Sequence, residues 1–287
     1  MKKKLLSVLL ASAMVLSLAG CGGSKEEAPA ASASSVAESV ADEGEAEAEA
    51  PAESDLAYIQ EKGTLVVGVT DFAPMDYKGD SDEWIGFDAD LAKAFAESLG
   101  VECELVEINW DNKIMELNGK TIDCVWNGMT LTEEVTSSMD CSNAYCNNAQ
   151  VVVVPVDVAD QYQDTDALAD LSFAVEAGSA GEEMAAEFSL NYTPVTAQSD
   201  ALMEVASGTS DAAIIDALMA GAMIGEGTGY ENLTYTIGLN DEKYGVGFRQ
   251  GSDLVELLNE FFKASYADGT MMQLAETYGV QASIIEQ

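Results

Sequence analysis

Trp126-Asn127-Gly128-Met129-Thr130-Leu131-Thr132 follows directly on the apolar run Ile122-Asp123-Cys124-Val125, and its reading decides the fold. A short apolar run that breaks at Asn-Gly and then alternates with threonine reads as a buried strand entering a polar loop. The loop gathers an aromatic ring, an amide, a bare backbone position and two hydroxyls at the carboxyl end of that strand. In open α/β sheets, small ligands bind at that end. The rest of the chain reads as scaffold, hinge and opposing jaw for this loop.

Upstream, Thr64-Leu65-Val66-Val67-Gly68-Val69 is a buried strand that ends in the turn-rich Thr70-Asp71-Phe72-Ala73-Pro74-Met75. Phe87, Leu91, Phe95 and Leu99 recur every four residues with acids between them, which predicts an amphipathic helix closed by Gly100. Cys103-Glu104-Leu105-Val106-Glu107-Ile108 is the next strand, followed by Asn109-Trp110-Asp111 and a short helix ending at Asn118-Gly119. The alternation predicts a doubly wound unit with a parallel sheet. A second unit repeats it from Val151-Val152-Val153-Val154. Phe173-Ala174-Val175 runs through a Gly178-Ser179 turn into a helix, and Ala212-Ala213-Ile214-Ile215 ends at Asp216. The chain returns through Tyr244-Gly245-Val246-Gly247-Phe248 and finishes in two helices that pack on the first unit. The expected division is residues 56–148 with 245–287 in one lobe and 149–244 in the other.

Composition narrows the function classes. The chain has 287 residues, 12 Lys+Arg against 51 Asp+Glu, and no histidine. Such acidity argues against nucleic acid and against direct binding to an anionic membrane, because both need clustered basic residues. Without histidine, Ser-His-Asp and Cys-His catalysis is excluded, and a zinc site is not expected. No cofactor is implied. Met1-Lys2-Lys3-Lys4 and the apolar residues 5–18 form a signal peptide over residues 1–20. Leu18-Ala19-Gly20-Cys21 resembles the bacterial lipobox, in which the cysteine is lipidated after cleavage. Residues 21–55 are rich in Ala, Ser, Glu and Pro and are read as a solvated tether. Cys103, Cys124, Cys141 and Cys146 remain; Cys141 and Cys146 are near enough in sequence to bridge, and free thiols serve equally well.

The ordered motifs resemble a known family. Gly86-Phe87-Asp88-Ala89-Asp90-Leu91-Ala92 is similar to its Gly-Phe-Asp-x-Asp-Leu-Ala signature, and Gly128-Met129-Thr130-Leu131-Thr132 after Ile122-Asp123 to its third-strand motif. Asp211-Ala212-Ala213, Asp216, Tyr244-Gly245-Val246 and Asp268-Gly269-Thr270 also fit. The chain thereby resembles the extracellular solute-binding proteins of polar amino-acid ABC importers, with the two-lobed type II "Venus flytrap" fold. The resemblance implies a monomeric receptor, lipid-anchored through Cys21 on the outer face of a Gram-positive type membrane. It would close on an amino acid or related amine and deliver it to a permease. A sensor or surface-interaction protein of the same fold, or a carboxylate-based enzyme, are the alternatives.

The resemblance also implies a ligand set. Phe72 takes the position of a stacking aromatic, beside Asp71. Trp110 takes a side-wall position. Asn127, Gly128, Met129 and Thr130 bind the ligand's polar ends, flanked by Trp126, whose other reading is burial beneath the strand. Ser179, Ala180 and Gly181 present helix N-terminal N–H groups to a carboxylate. Asp216 pairs with the α-ammonium or, on the other reading, caps the helix that follows it.

One position departs from the pattern. Where the family carries an arginine that grips the α-carboxylate, this chain has Val135, and its only arginine, Arg249, falls in a segment expected at the surface. Breaking a buried charge pair costs about 2–5 kcal/mol, and a micromolar site is worth only about 8 kcal/mol in all. Either Asn147, Asn148 or Lys113 replaces the arginine, or the ligand lacks a free α-carboxylate.

Overall fold

A computed structural model describes residues 54–287, so the signal peptide, Cys21 and nearly all of the expected tether lie outside the described residues. The folded body opens with helix α1 (Asp55–Lys62), capped by the Ser54 hydroxyl, just ahead of the start expected at Leu56. Strand β1 (Thr64–Val69) follows, then the hairpin β2 (Tyr77–Lys78) and β3 (Trp84–Ile85), helix α2 (Phe87–Ser98) and strand β4 (Glu102–Glu107). A short turn at Trp110–Asn112 leads into α3 (Lys113–Asn118), β5 (Cys124–Thr130) and α4 (Glu133–Ser138). The first crossing is made by β6 (Asp140–Cys141), β7 (Cys146–Asn148) and β8 (Gln150–Pro155). Beyond it lie β9 (Ser172–Glu176), α5 (Ala180–Glu187), β10 (Asn191–Val195), α6 (Gln198–Ser207), β11 (Ala212–Asp216), α7 (Ala217–Met223) and β12 (Leu233–Gly238). The chain returns through β13 (Glu242–Phe248) and ends in α8 (Leu254–Ala267) and α9 (Thr270–Tyr278).

Two sheets organise these elements. The first runs β4-β1-β5-β13-β6, with β7 also paired to β13; the second runs β10-β9-β11-β8-β12. In each sheet three strands are parallel, as the alternating pattern predicts. The strands that carry the chain between lobes, β8 and β13, pair antiparallel with β11 and β5. The sequence expectation of parallel sheets is therefore incomplete. A chain that leaves a lobe after its third strand and later re-enters from the other lobe arrives in the opposite direction.

Packing follows from the apolar spacing. Phe87, Leu91 and Phe95 on α2 are fully buried, and Phe95 meets Phe261 of α8 and Trp126 of β5 at ring centroid distances of 5.4 and 6.3 Å. Trp126 also lies 5.6 Å from Phe262, so the terminal helices cover the first lobe. At about 25 cal/mol per Å², burying aromatics of 150–250 Å² makes this cluster a principal source of first-lobe stability.

Arg249 is buried rather than at the surface. Its guanidinium donates to Asp55 at 2.8 and 3.0 Å and contacts Asp123 at 3.4 Å, and Lys62 also pairs with Asp123. These bonds fasten α1 to the first sheet. All four cysteines within the described residues are free thiols, including Cys141 and Cys146.

Candidate functional site

The cleft between the two sheets is lined by Phe72, Trp110, Lys113, Val135, Glu176 and Asp216, with residues 127–130 of β5, residues 178–180, Glu134, Glu183 and Gln198. The lobes stand closed around it. Lys113, the first residue of α3, donates to the Gly178 carbonyl across the cleft at 2.8 Å. Gly178 has φ +70°, and a Cβ there would lie 2.9 Å from the Asp111 Cα. Only glycine lets the two backbones approach so closely.

The first-lobe wall is shaped by a break in β5. The register between β5 and β13 shifts between Gly245 and Gly247, and Val246 pairs instead with Ser142. Residues 126–128 thereby leave the regular ladder. Gly128 adopts φ +55°, and a Cβ there would meet the Phe72 ring at 2.5 Å. The N–H of Gly128 donates to Asp88 at 2.7 Å, and Asp88 also accepts from Tyr145 at 2.6 Å. Asn127 accepts from the Thr70 amide and hydroxyl and donates to Asp76 at 2.8 Å. The Thr130 hydroxyl donates to Glu242 at 2.9 Å. These polar groups hold the wall in shape through internal bonds, and Asp88 of the Gly-Phe-Asp stretch is its anchor. Burial pushes the Asp88 carboxyl up to about 6.

Three positions assigned to the ligand from sequence fall elsewhere: Trp126, Asp71 and Gly181, the last buried against the Ile214 carbonyl and absent from the cleft lining. Trp126 is fully buried among Phe95, Tyr145 and Phe262, because alternation along β5 turns its ring to the helix side of the sheet. Asp71 is exposed and does not line the cleft, whereas its neighbour Phe72 does. Phe72 and Trp110 form the aromatic walls, 2% and 7% exposed.

The second-lobe wall comes from three adjoining segments. Ser179 caps α5 by accepting from the Glu182 amide at 3.2 Å, so its hydroxyl serves the helix. The N–H groups of Ala180 and Gly181 lie in the first turn of α5, where no intrahelical acceptor exists and the helix dipole is positive; Ala180 lines the cleft. Asp216 ends β11 and makes no side-chain cap to α7. Its carboxylate instead accepts from Tyr244 and Asn148 on one oxygen and Gln198 on the other, each at 2.5 Å. Burial, then Glu242 nearby, pushes Asp216 up to about 7.

Of the three side chains weighed as replacements for the missing arginine, only Lys113 lines the cleft. Asn147 is exposed and reaches Ser283, and Asn148 is bound to Asp216 and Glu242. Val135 lies at the cleft wall and packs in an apolar cluster with Trp110, Met129 and Met139. Lys113 is 4% exposed, its ammonium 5.1 Å from the Trp110 ring centre. Burial draws its pKa below the usual lysine value, against the opposing pull of Glu134 and Glu176. Glu176, which the sequence places just after an apolar strand and to which no ligand role is assigned, is 2% exposed within the cleft. Its only sequence signal is an acid at the carboxyl end of an apolar run. Among the described residues no cluster of three or more Cys, Asp or Glu is arranged to hold a metal ion.

Two α/β lobes joined by paired crossings, with a closed polar cleft between them, define a type II periplasmic-binding-protein fold. Residues 65–281 match the model of the bacterial extracellular solute-binding proteins, family 3, and the chain belongs to that family. It is 29% identical over 223 residues to the arginine-binding extracellular protein ArtP of Bacillus subtilis (strain 168), covering 76% of this chain and 86% of ArtP. A histidine-bound substrate-binding protein of an ABC uptake transporter from Streptococcus pneumoniae superposes with a TM-score of 0.72 at 26% identity, covering 80% of this chain and 98% of that one. An ancestral amino acid-binding protein, AncCDT-1, described as a precursor of cyclohexadienyl dehydratase, gives 0.72 at 32% identity over 78% of this chain and 99% of its own.

Proposed function

We propose that this protein captures an amino acid or related amine between its lobes and hands it to the permease of an ABC importer. The observation that carries the reading is the buried acid at the end of β11: Asp216 is held by three donors and faces the cleft, opposite the aromatic walls. A cationic nitrogen entering there replaces water and neutralises a carboxylate that burial otherwise penalises. Phe72 and Trp110 flank the bound solute, and the backbone of residues 127–130 shapes its floor. Ala180 offers an N–H group, and Lys113 a positive charge, to any carboxylate the ligand carries.

The named ligands of the two relatives, arginine and histidine, both carry nitrogen in the side chain. Ligand contacts from both lobes favour the closed state over the open one, which is the form a permease would recognise. The role is binding rather than catalysis: the chain has no histidine, and the donors around Asp216 fix it as an acceptor. Lipidation of Cys21 would keep the receptor on the outer face of the cell membrane, with the acidic segment that follows as its tether.

Native mass spectrometry of the purified protein is the direct test, followed by a thermal-shift panel of amines and amino acids. An amine-bearing solute in the cleft, and shifts with amines exceeding those with glutamate or aspartate, are the expected results. Tight binding of an unmodified acidic amino acid would overturn the reading.

A further inference from the structure

Three buried or partly buried acids meet around the second-lobe end of the cleft, and their oxygens are not equally supplied with donors. Glu242 accepts from Thr130, Asn148 and Gln150 on one oxygen and from Asn240 on the other. Asp216 accepts from Asn148, Tyr244 and Gln198. Glu176 is different. Its Oε1 is buried in the cleft wall without a hydrogen-bond partner, although the residue is 2% exposed. A buried carboxylate oxygen left bare is costly unless something else occupies it.

Glu176 ends β9, and Asp216 ends β11, its parallel neighbour. Adjacent strands lie about 4.8 Å apart, and Gln198, which bonds Asp216, stands beside Glu176 as well. The cleft thus presents two buried carboxylates at neighbouring strand ends. Glu134 and Glu183 add two more acids to its lining, against the one ammonium of Lys113. That ammonium is committed to the Gly178 carbonyl.

We infer that Glu176 is a second cation subsite, so that the preferred ligand carries two cationic nitrogens, one for Asp216 and one for the open oxygen of Glu176. The inference rests on the amine reading above and sharpens it, making Glu176 a specificity-determining residue. A ligand with one ammonium leaves the second carboxylate unpaired, whereas a dication satisfies both. Burial, reinforced by Asp216, holds the Glu176 carboxyl at about 8, as expected of an acid whose counter-ion has yet to arrive.

The test is isothermal titration of the full chain with two matched probe pairs: lysine against norleucine, and 1,5-diaminopentane against 1-aminopentane. In each pair the diamino member is expected to bind at least about tenfold more tightly, a difference of about 1.4 kcal/mol. In Glu176→Gln, which keeps the shape and removes the charge, that ratio should fall to within about twofold. Equal binding of both members by the wild-type chain overturns the second subsite while leaving the amine reading in place. A ratio unchanged in a folded Glu176→Gln variant also overturns it. Absence of binding by all four probes removes the amine reading and this inference together.

Discussion

The Lys113 ammonium lies 2.8 Å from the carbonyl oxygen of Gly178, joining the start of α3 in one lobe to the turn before α5 in the other. Among the described residues, the same lysine is the only basic side chain lining the cleft. It therefore combines a latch between lobes with the charge that Val135 fails to supply. Lys113→Met keeps the aliphatic stem and removes both. It should weaken lysine by about tenfold or more, the cost of losing one charge-assisted hydrogen bond. The effect on 1,5-diaminopentane, which has no carboxylate, should be several-fold smaller. Parallel titrations with the two probes check this.

Asp216→Ala should abolish measurable binding of every amine. The substitution removes an acceptor and leaves Tyr244, Asn148 and Gln198 without their shared partner. A buried donor stripped of its acceptor costs about 1–3 kcal/mol, so the variant should also unfold at lower temperature. Asp216→Asn preserves the shape and one acceptor oxygen but sets an amide NH2 against the remaining donors, so a smaller fall in melting temperature than in Asp216→Ala, with lost amine binding, is expected.

Stability should depend on pH in a definite direction. Glu176 stands at about 8 in the fold against an ordinary 4.5, and Asp216 at about 7 against 3.8. A carboxyl whose folded pKa is raised contributes fully below its ordinary pKa and loses that contribution as pH rises towards the folded value. The ligand-free protein should therefore melt at progressively lower temperature between about pH 4 and pH 8. Asp76 and Asp88, also raised by burial, act in the same direction. The difference between wild type and Glu176→Gln isolates Glu176, and calorimetric scans should show a shallower slope for the variant. A bound cation reverses the trend by favouring the ionised carboxylates. Amine affinity should rise over the same range, with proton release visible as a dependence of the binding heat on the buffer.

Arg249→Met should lower stability by about 3–5 kcal/mol, because it leaves Asp55 and Asp123 as buried charges short of their partner. Amine selectivity should be unchanged, since Arg249 bonds α1, Leu117 and Ile122 and does not line the cleft. Chemical denaturation paired with titration of a diamine separates the two readouts.

Much of the site was legible before any coordinates. Phe72, Trp110, residues 127–130 and Asp216 are brought to one cleft from segments far apart in sequence, as the strand-end rule and the family pattern imply. For Trp126 the sequence leaves two readings, ligand flank or burial beneath the strand, because an aromatic at a strand end looks the same whichever face it occupies; the fold buries it. Glu176 was missed for the same reason: burial and the donors that reach an acid depend on neighbours, and those neighbours come from α6 and β11. Gly128 is expected among the ligand's polar contacts, yet its N–H donates to Asp88, forty residues earlier in the chain.

The sequence by itself determined the two-lobed α/β plan, the valine at position 135 and the exclusion of histidine chemistry. Local hydrophobic period, glycine placement and composition are properties of short segments, and they survive without knowledge of partners. Tertiary structure alone decided that Lys113, and neither Asn147 nor Asn148, lines the cleft, and that Glu176 and Asp216 are buried there. Those outcomes depend on distances such as Lys113 to Gly178 and on the bare oxygen of Glu176. Both arise where segments distant in sequence meet in the cleft. At the loop from which the fold was read, the side chains mostly bond to one another, and the selective charges stand around it.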